Sequence, residues 1–270
     1  MGNIAGSFTW DVYNVFSSRW HTANIEIAHF WSLCVEEQFY LLWPLAVWFI
    51  RDRKKLIWTA ASLSALALAL RVFTFAYFHE AGTYAVIFRN LPWRMDTLLI
   101  GSLLALVLRG PAADRWQRAG RWVFLAGTAG MVAIFILSPG DKSPWTATLG
   151  LTLIALASAG LICSTLRSGS IAYRLFHTGP IRFVGKYSYG FYIYHLLFRP
   201  AWVQVFIFLV ALTHSLALSG IIFIGLVYMV TLVVSKLSYD LIEVRFLRYK
   251  RYFEYDSELT EHKHAFSLSK

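Results

Sequence analysis

Apolar runs of near-bilayer length recur along this chain, and no other feature restricts its fold as much. Crossing a bilayer core as a helix takes roughly 20 apolar residues. A window pass finds about seven such runs: Leu33 to Ile50, Leu56 to Phe78, Met95 to Leu108, Trp122 to Leu137, Trp145 to Leu166, Tyr187 to Leu212 and Leu216 to Val234. The third is short. In lipid every backbone N–H and C=O must be satisfied within the chain, so runs of this kind fold as helices and not as open sheet. The expected class is all-α, a polytopic membrane helix bundle of about seven transmembrane helices. Without an internal repeat or a dividing linker, it reads as one membrane domain over residues 1–253 and a polar cytoplasmic tail over 254–270.

Composition excludes the nearest soluble alternative. Apolar residues make up 57% of the chain and charged ones 15%, and mean hydropathy is +0.53; a soluble core of this size needs more charge to cover its outside. The net charge of +10 could suggest nucleic acid. However, Lys and Arg sit in short clusters between apolar runs, the pattern of cytoplasmic loops and not of one phosphate-binding face, so no nucleic-acid partner is expected. Cys34 and Cys163 each lie in an apolar run and read as buried thiols. Met1 to Trp31 lacks the basic start and continuous apolar core of a cleavable signal. No metal and no resident cofactor are expected.

Loop charge orients the bundle. Arg51, Arg53, Lys54 and Lys55 follow the first run, Arg109, Arg115, Arg118 and Arg121 follow the third, and Arg167, Arg174, Arg182 and Lys186 follow the fifth. The intervening loops hold only Arg89 and Lys142. Basic loops face the cytoplasm, which places Met1 to Trp31 outside an inner (cell) membrane and the tail, with Arg245, Arg248, Lys250 and Arg251, inside.

Ionisable groups at membrane depth persist mainly where they pair or serve a function. Glu36 and Glu37 open the first span, Arg94 and Asp96 open the third, Arg71 reaches the outer half of the second, and His195 and Arg199 lie in the sixth. Polar groups thus converge on one outward-opening region. Simpler accounts compete: Asp96 gains from a helix dipole, Arg94 can snorkel, and His195 can be a hydrogen-bonded core residue. Adjacent Glu36 and Glu37 point about 100° apart, so only one of them can face outward cheaply. Gly101 and Ala105 form a small-xxx-small surface suited to helix packing.

Several stretches in that region resemble a known family. HFWSLCVEEQFYLLWPL, from His29 to Leu45, closely resembles the WSLxxE signature of the acyltransferase-3 family of integral membrane acyltransferases, which includes O-antigen acetylases. WRMDTLLIGSLLALVL from Trp93, FVGKYSYGFYIYHLLFRP from Phe183 and KLSYDLIEVRFLRYKRYF from Lys236 follow in the family's order, with Val244 where a Pro often stands. The resemblance implies transfer of an acyl group, usually acetyl from acetyl-coenzyme A as co-substrate, to a hydroxyl of a carbohydrate or similar glycan acceptor. It also implies opening helices, with a principal catalytic His, that have no counterpart here: this sequence begins in what would be the loop before the WSLxxE helix. On that reading the chain is an incomplete form that partners its missing N-terminal helices, and alone it fails to transfer acetyl groups.

Acyl transfer to an alcohol needs a base for the hydroxyl proton and donors for the developing oxyanion. Glu36 is the candidate carboxylate, with His29 and His195 as the imidazoles that could supply the base. Tyr40 follows Glu36 by one turn, Trp31 and Trp43 offer stacking surface for a sugar ring, and Arg94 could meet Glu36, Glu37 or the donor's phosphates. Pro44 withdraws a helix hydrogen bond from the Tyr40 carbonyl and suggests a kink. Asp96, Ser188 and Tyr192 complete the candidate binding set, the last two sharing a helix face with His195 at i, i+4, i+7. The alternative is a transporter or flippase-like bundle for a lipid-linked or acidic solute, since intramembrane Arg, Glu and His also mark substrate paths. Sidedness is directly testable: a Cys placed at Ser267 should resist an impermeant thiol reagent in intact cells and react once they are opened. Labelling in intact cells would reverse the orientation.

Overall fold

A computed structural model of the chain describes residues 30–78, 83–138 and 143–249, and every regular element among them is a helix. His29 and the tail over 254–270 lie outside the described residues. The helices are α1 (Trp31–Phe49), α2 (Arg53–Tyr77), α3 (Thr83–Arg89), α4 (Leu91–Leu108), α5 (Ala113–Leu137), α6 (Thr146–Leu166), α7 (Ile171–Phe176), α8 (Gly179–Lys186), α9 (Ser188–Leu197), α10 (Arg199–Thr213) and α11 (Leu216–Leu247). The first turn of α6 and the segment Tyr239–Glu243 of α11 are π-helical. Five stretches are long and apolar enough to cross a membrane: α2, α3 with α4, α5, α6 and α11. Counting α9 and α10 as one bent span makes six.

Three of the expected spans change shape. α1 forms where the first was expected and runs on through Pro44, but its Glu36–Glu37–Gln38 run dilutes its apolar character, so it is not among the five. The short third span lengthens, because Pro92 fits the first turn of a helix and lets α4 start at Leu91. The sixth is not continuous: α9 and α10 meet at a 69° bend. There Phe198 leaves helical geometry, with φ −98° and ψ 20°. Pro200 has no N–H to continue the ladder, so the bend has a covalent cause.

The described chain divides into two compact units, the first ending at Arg182 and the second beginning at Phe183. Much of the apolar surface is turned outward: Leu137 is 84% exposed and Trp58 72%. Such an exterior suits lipid as the solvent.

In the first unit, α1, α2 and α4 share an apolar core of Val35, Phe39, Ala60, Leu91 and Leu99, against which Trp31 and Trp43 pack. Beside it sits a fully buried ion pair. Arg71 of α2 and Asp96 of α4 are both 0% exposed and meet in a two-pronged contact, Nη1 to Oδ1 and Nη2 to Oδ2, each 2.7 Å. Nη1 also donates to the Trp93 carbonyl at 2.6 Å, and Nη2 to Thr152 Oγ1 of α6 at 2.5 Å. Thr152 in turn donates to Asp96 Oδ2 at 2.6 Å. All four Nη hydrogens therefore have acceptors, and Arg71 Nε alone in that side chain is buried without one. Trp93 Nε1 donates to Thr74 Oγ1 at 2.7 Å, which ties α4 to α2 a second time. At the other end, Arg53 Nη1 donates to the Leu106 carbonyl at 3.2 Å, placing a cation on the last turn of α4, where the dipole favours one.

α5 and α6 approach more closely than side chains allow. A Cβ on Gly160 would lie 2.4 Å from the Phe124 amide nitrogen and 2.7 Å from the Gly120 carbonyl oxygen; one on Gly127 would lie 2.9 Å from the Ala157 nitrogen. These are backbone atoms that cannot turn aside. The small-residue contact is thus here and not at Gly101, where a Cβ would meet nothing within 4 Å. Gly101 and Ala105 are both exposed, which corrects the packing role expected of them.

In the second unit, α9 packs on α11 through Gly190, whose absent Cβ would lie 3.0 Å from Ser235 Cβ. Tyr194 donates to Ser238 Oγ at 2.9 Å. Tyr187 and Tyr239 meet edge to face with Lys186 Nζ over both rings, 5.2 and 4.6 Å from their centroids.

Two stability outcomes follow from the first unit. Asp96→Leu alone should cost about 3–5 kcal/mol, because it strands a buried cation, while Arg71→Met with Asp96→Leu should cost much less. Thermal unfolding in detergent reads this, and equal losses would show that the charges are not what holds α2 to α4. Gly160→Leu should destabilise by at least about 1–3 kcal/mol by forcing the helices apart; unchanged unfolding would contradict the backbone contact.

Candidate functional site

A cavity of about 330 Å³ opens between α1, α4 and α6 in the first unit. Its polar wall comes from Ser32 and Glu36 of α1 and from Arg94 and Thr97 of α4. The rest is apolar or small, with Leu98, Gly101 and Leu104 on α4 facing Ile154, Ala159 and Ile162 on α6. The bond from Thr152 to Asp96 fixes the start of α6 level with the start of α4. The charged groups therefore lie at one end, and the lining away from them is apolar except for Ser158 of α6. From Arg94 to Leu104 the α4 wall extends about 15 Å at roughly 1.5 Å per residue.

Each polar group is set by its helix. Glu36 lies one turn after Ser32, so both point to the same side of α1. Glu36 is half-buried, whereas Glu37, about 100° round the helix, is exposed. Arg94 is folded back over α1: its guanidinium carbon sits 5.1 Å from the centre of the Trp31 ring, and Nη1 donates to the Phe88 carbonyl at 3.4 Å. A cation over an indole face in a poorly hydrated place is held by the ring's quadrupole. No hydrogen bond or ion pair among the described residues joins Glu36 to Arg94, although both line the cavity. Carboxylate and guanidinium thus flank a common space without neutralising one another directly.

The structure brings together Trp31, Glu36 and Arg94 of the sequence candidates and separates others from them. Asp96 belongs to the buried pair with Arg71 and does not line the cavity. Tyr40 is 57% exposed and also outside the lining. Ser188, Tyr192 and His195 belong to the second unit. There Ser188 Oγ donates to the Gly185 carbonyl at 2.9 Å, and the Tyr192 and His195 rings lie 5.8 Å apart. His195 Nδ1 is 3.0 Å from the Phe191 carbonyl oxygen, which can only accept, so Nδ1 donates. His29 lies outside the described residues.

Ser32 and Thr97 were not singled out from the sequence. Ser32 was within reach, being the Ser of the WSL triplet one turn before Glu36. Thr97 and Thr152 carried no such signal, since hydroxyl residues in apolar helices are commonplace.

Comparison with known proteins agrees with the motifs. The family described as acyltransferase domain, acyltransferase-3, matches residues 2–239. O-acetyltransferase OatA of Staphylococcus aureus (strain NCTC 8325 / PS 47) is 27% identical over 177 residues, which cover 63% of this chain and 29% of OatA. A putative O-acetyltransferase of S. aureus strain COL, SACOL0978, is 24% identical over 232 residues, 82% of this chain and 36% of that protein. The chain thus spans about a third of the length of these curated relatives. No solved structure gives a significant match. With the family's profile covering nearly the whole described chain, its signature carboxylate on the wall of a cavity and its helices suited to lipid, the chain belongs to the acyltransferase-3 family of integral membrane proteins.

Proposed function

We propose that this chain supplies Glu36 and Arg94 to an enzyme that transfers an acyl group, acetyl in the simplest case, from acyl-coenzyme A to a hydroxyl of a carbohydrate acceptor at the outer side of a cell membrane. The observation that carries the proposal is the half-buried Glu36 facing the same cavity as Arg94, with Ser32 beside it. The O-acetyltransferase names of the relatives support acetyl and an oxygen acceptor. The loop charges support an outer N-terminal side and a cytoplasmic tail.

The chemistry asks little of the protein beyond placement. The acceptor oxygen attacks the thioester carbonyl, a C–O bond forms and the C–S bond breaks. The hydroxyl proton passes to a base and from there to the departing thiolate. Glu36 accepts the hydroxyl's hydrogen bond, directly or by orienting an imidazole, and so raises the oxygen's nucleophilicity. Arg94, already directed into the cavity wall by Trp31 and the Phe88 carbonyl, donates to the carbonyl oxygen as it gains charge. Such a preset donor is worth most in a dry site. Trp31 holds Arg94 in place through one ring face.

Glu36→Gln and Arg94→Gln should each lower transfer from radiolabelled acetyl-coenzyme A to membrane glycan by on the order of a hundredfold, because each removes one side of the proton-and-charge arrangement. The double variant should lose far less than the product of the two. The measurement is made with the family's opening helices co-expressed; normal transfer by either single variant removes that residue from the site, and failure of that assembled parent to use acetyl-coenzyme A at all removes the proposal.

A further inference from the structure

Arg94 is held by its backbone as well as by its guanidinium. Both peptide groups flanking its Cα accept a hydrogen bond from a side chain: the Trp93 carbonyl from Arg71 Nη1 at 2.6 Å, and the Arg94 carbonyl from Thr97 Oγ1 at 2.8 Å. Arg71 grips the same turn again two residues further on, through both oxygens of Asp96. Thr74 follows Arg71 by one turn of α2 and accepts from Trp93 Nε1, so α2 holds Trp93 by its carbonyl and by its indole.

Arg71 itself stands away from the chemistry. It is 0% exposed and does not line the cavity. Its four Nη hydrogens are committed to Trp93, Asp96 and Thr152. Well-packed apolar side chains hold helices together at least as well as a buried ion pair does, so packing alone gives no reason for a guanidinium here. What an apolar side chain cannot do is donate to a carbonyl in a set direction. The planar fork delivers its donors at fixed angles, and one of them reaches the peptide group that leads into Arg94.

We propose that Arg71 is the positioning residue for Arg94: by fixing the Trp93 carbonyl and Asp96 on either side of it, Arg71 aims the Arg94 guanidinium at the acyl carbonyl oxygen as that oxygen gains charge. This rests on the acyltransferase reading above, in which Arg94 donates to that oxygen. Arg71 neither gives nor takes a proton. A donor aimed at charge that exists only in the transition state acts on kcat and not on donor binding, and a small misplacement of it is costly.

The experiment measures acetyl-coenzyme A turnover per folded protein, with the family's opening helices co-expressed. Arg71→Met with Asp96→Leu keeps α2 and α4 packed without charge and so separates placement from stability. It should lower kcat about tenfold or more and leave KM for acetyl-coenzyme A within about twofold. Added to Arg94→Gln, the same two changes should cost less than about twofold further, because Arg71 acts only through Arg94. Thr152 gives a second comparison in which both ions stay: Thr152→Val deletes a hydroxyl bonded to each of them and should lower kcat, whereas Thr152→Ser keeps it and should stay within about twofold of the parent. Full turnover by the folded Arg71→Met, Asp96→Leu protein, or a loss that multiplies with that of Arg94→Gln, overturns the inference and leaves the acyltransferase reading standing. Should that protein not fold, equal turnover by Thr152→Val and Thr152→Ser overturns it in the same way. Failure of the assembled parent to use acetyl-coenzyme A overturns the acyltransferase reading itself.

Discussion

The contact on which the first unit depends is the closed ring of charge and hydrogen bonds among Arg71, Asp96 and Thr152. It joins α2, α4 and α6 at one level, with both ions at 0% exposure. A guanidinium at this depth would be expensive alone, and so would the carboxylate. Together they hold each other's geometry, because a two-pronged Arg–carboxylate contact fixes both orientation and distance. α4 is thereby pinned to α2 and α6 near its first turns. The cavity lies just beyond that point, and its α4 and α6 walls inherit the register that the pair sets. Asp96 thus contributes to the site through placement, while Arg94, two residues earlier, points elsewhere and lines it.

Much of the architecture was legible in the sequence because lipid imposes a simple requirement. Long apolar runs had to be helices, and α2, α5, α6 and α11 formed close to where the runs lie. What sequence periodicity left out were the interruptions. The bend at Phe198 came from Pro200, a residue read only as part of a motif. α1 was helical as expected, yet its own acidic run separates it from the more apolar helices. The small-residue reasoning selected Gly101 when the close crossing was at Gly120, Gly127 and Gly160. Spacing along one helix says that a groove exists but not which neighbour fills it.

The site was legible to a similar degree. Glu36 stood out because its neighbour Glu37 could not share its direction, and the structure separates them as half-buried and exposed. Arg94 and Asp96 looked alike from the sequence, two ions at a helix start. Their different fates depend on Arg71, which lies 25 residues before Asp96 and meets it only in three dimensions. Tyr40 shows the same limit from the other side, since one turn of a helix gives shared direction without saying where the cavity ends.

The glycine crossing of α5 and α6 also determines which wall of the cavity is held most firmly. Backbones in contact at Gly120 and Gly160 leave no intervening side chains whose rotamers could absorb a shift, so the two helices travel as a single plate. α4 is riveted to that plate by Thr152. Among the described residues α1 meets α4 through Val35, Phe39 and the Trp31 ring over Arg94, and not through a buried ion pair. The cavity therefore has a back held by backbone contact and buried charge and a front held by side-chain packing, and the front carries Glu36.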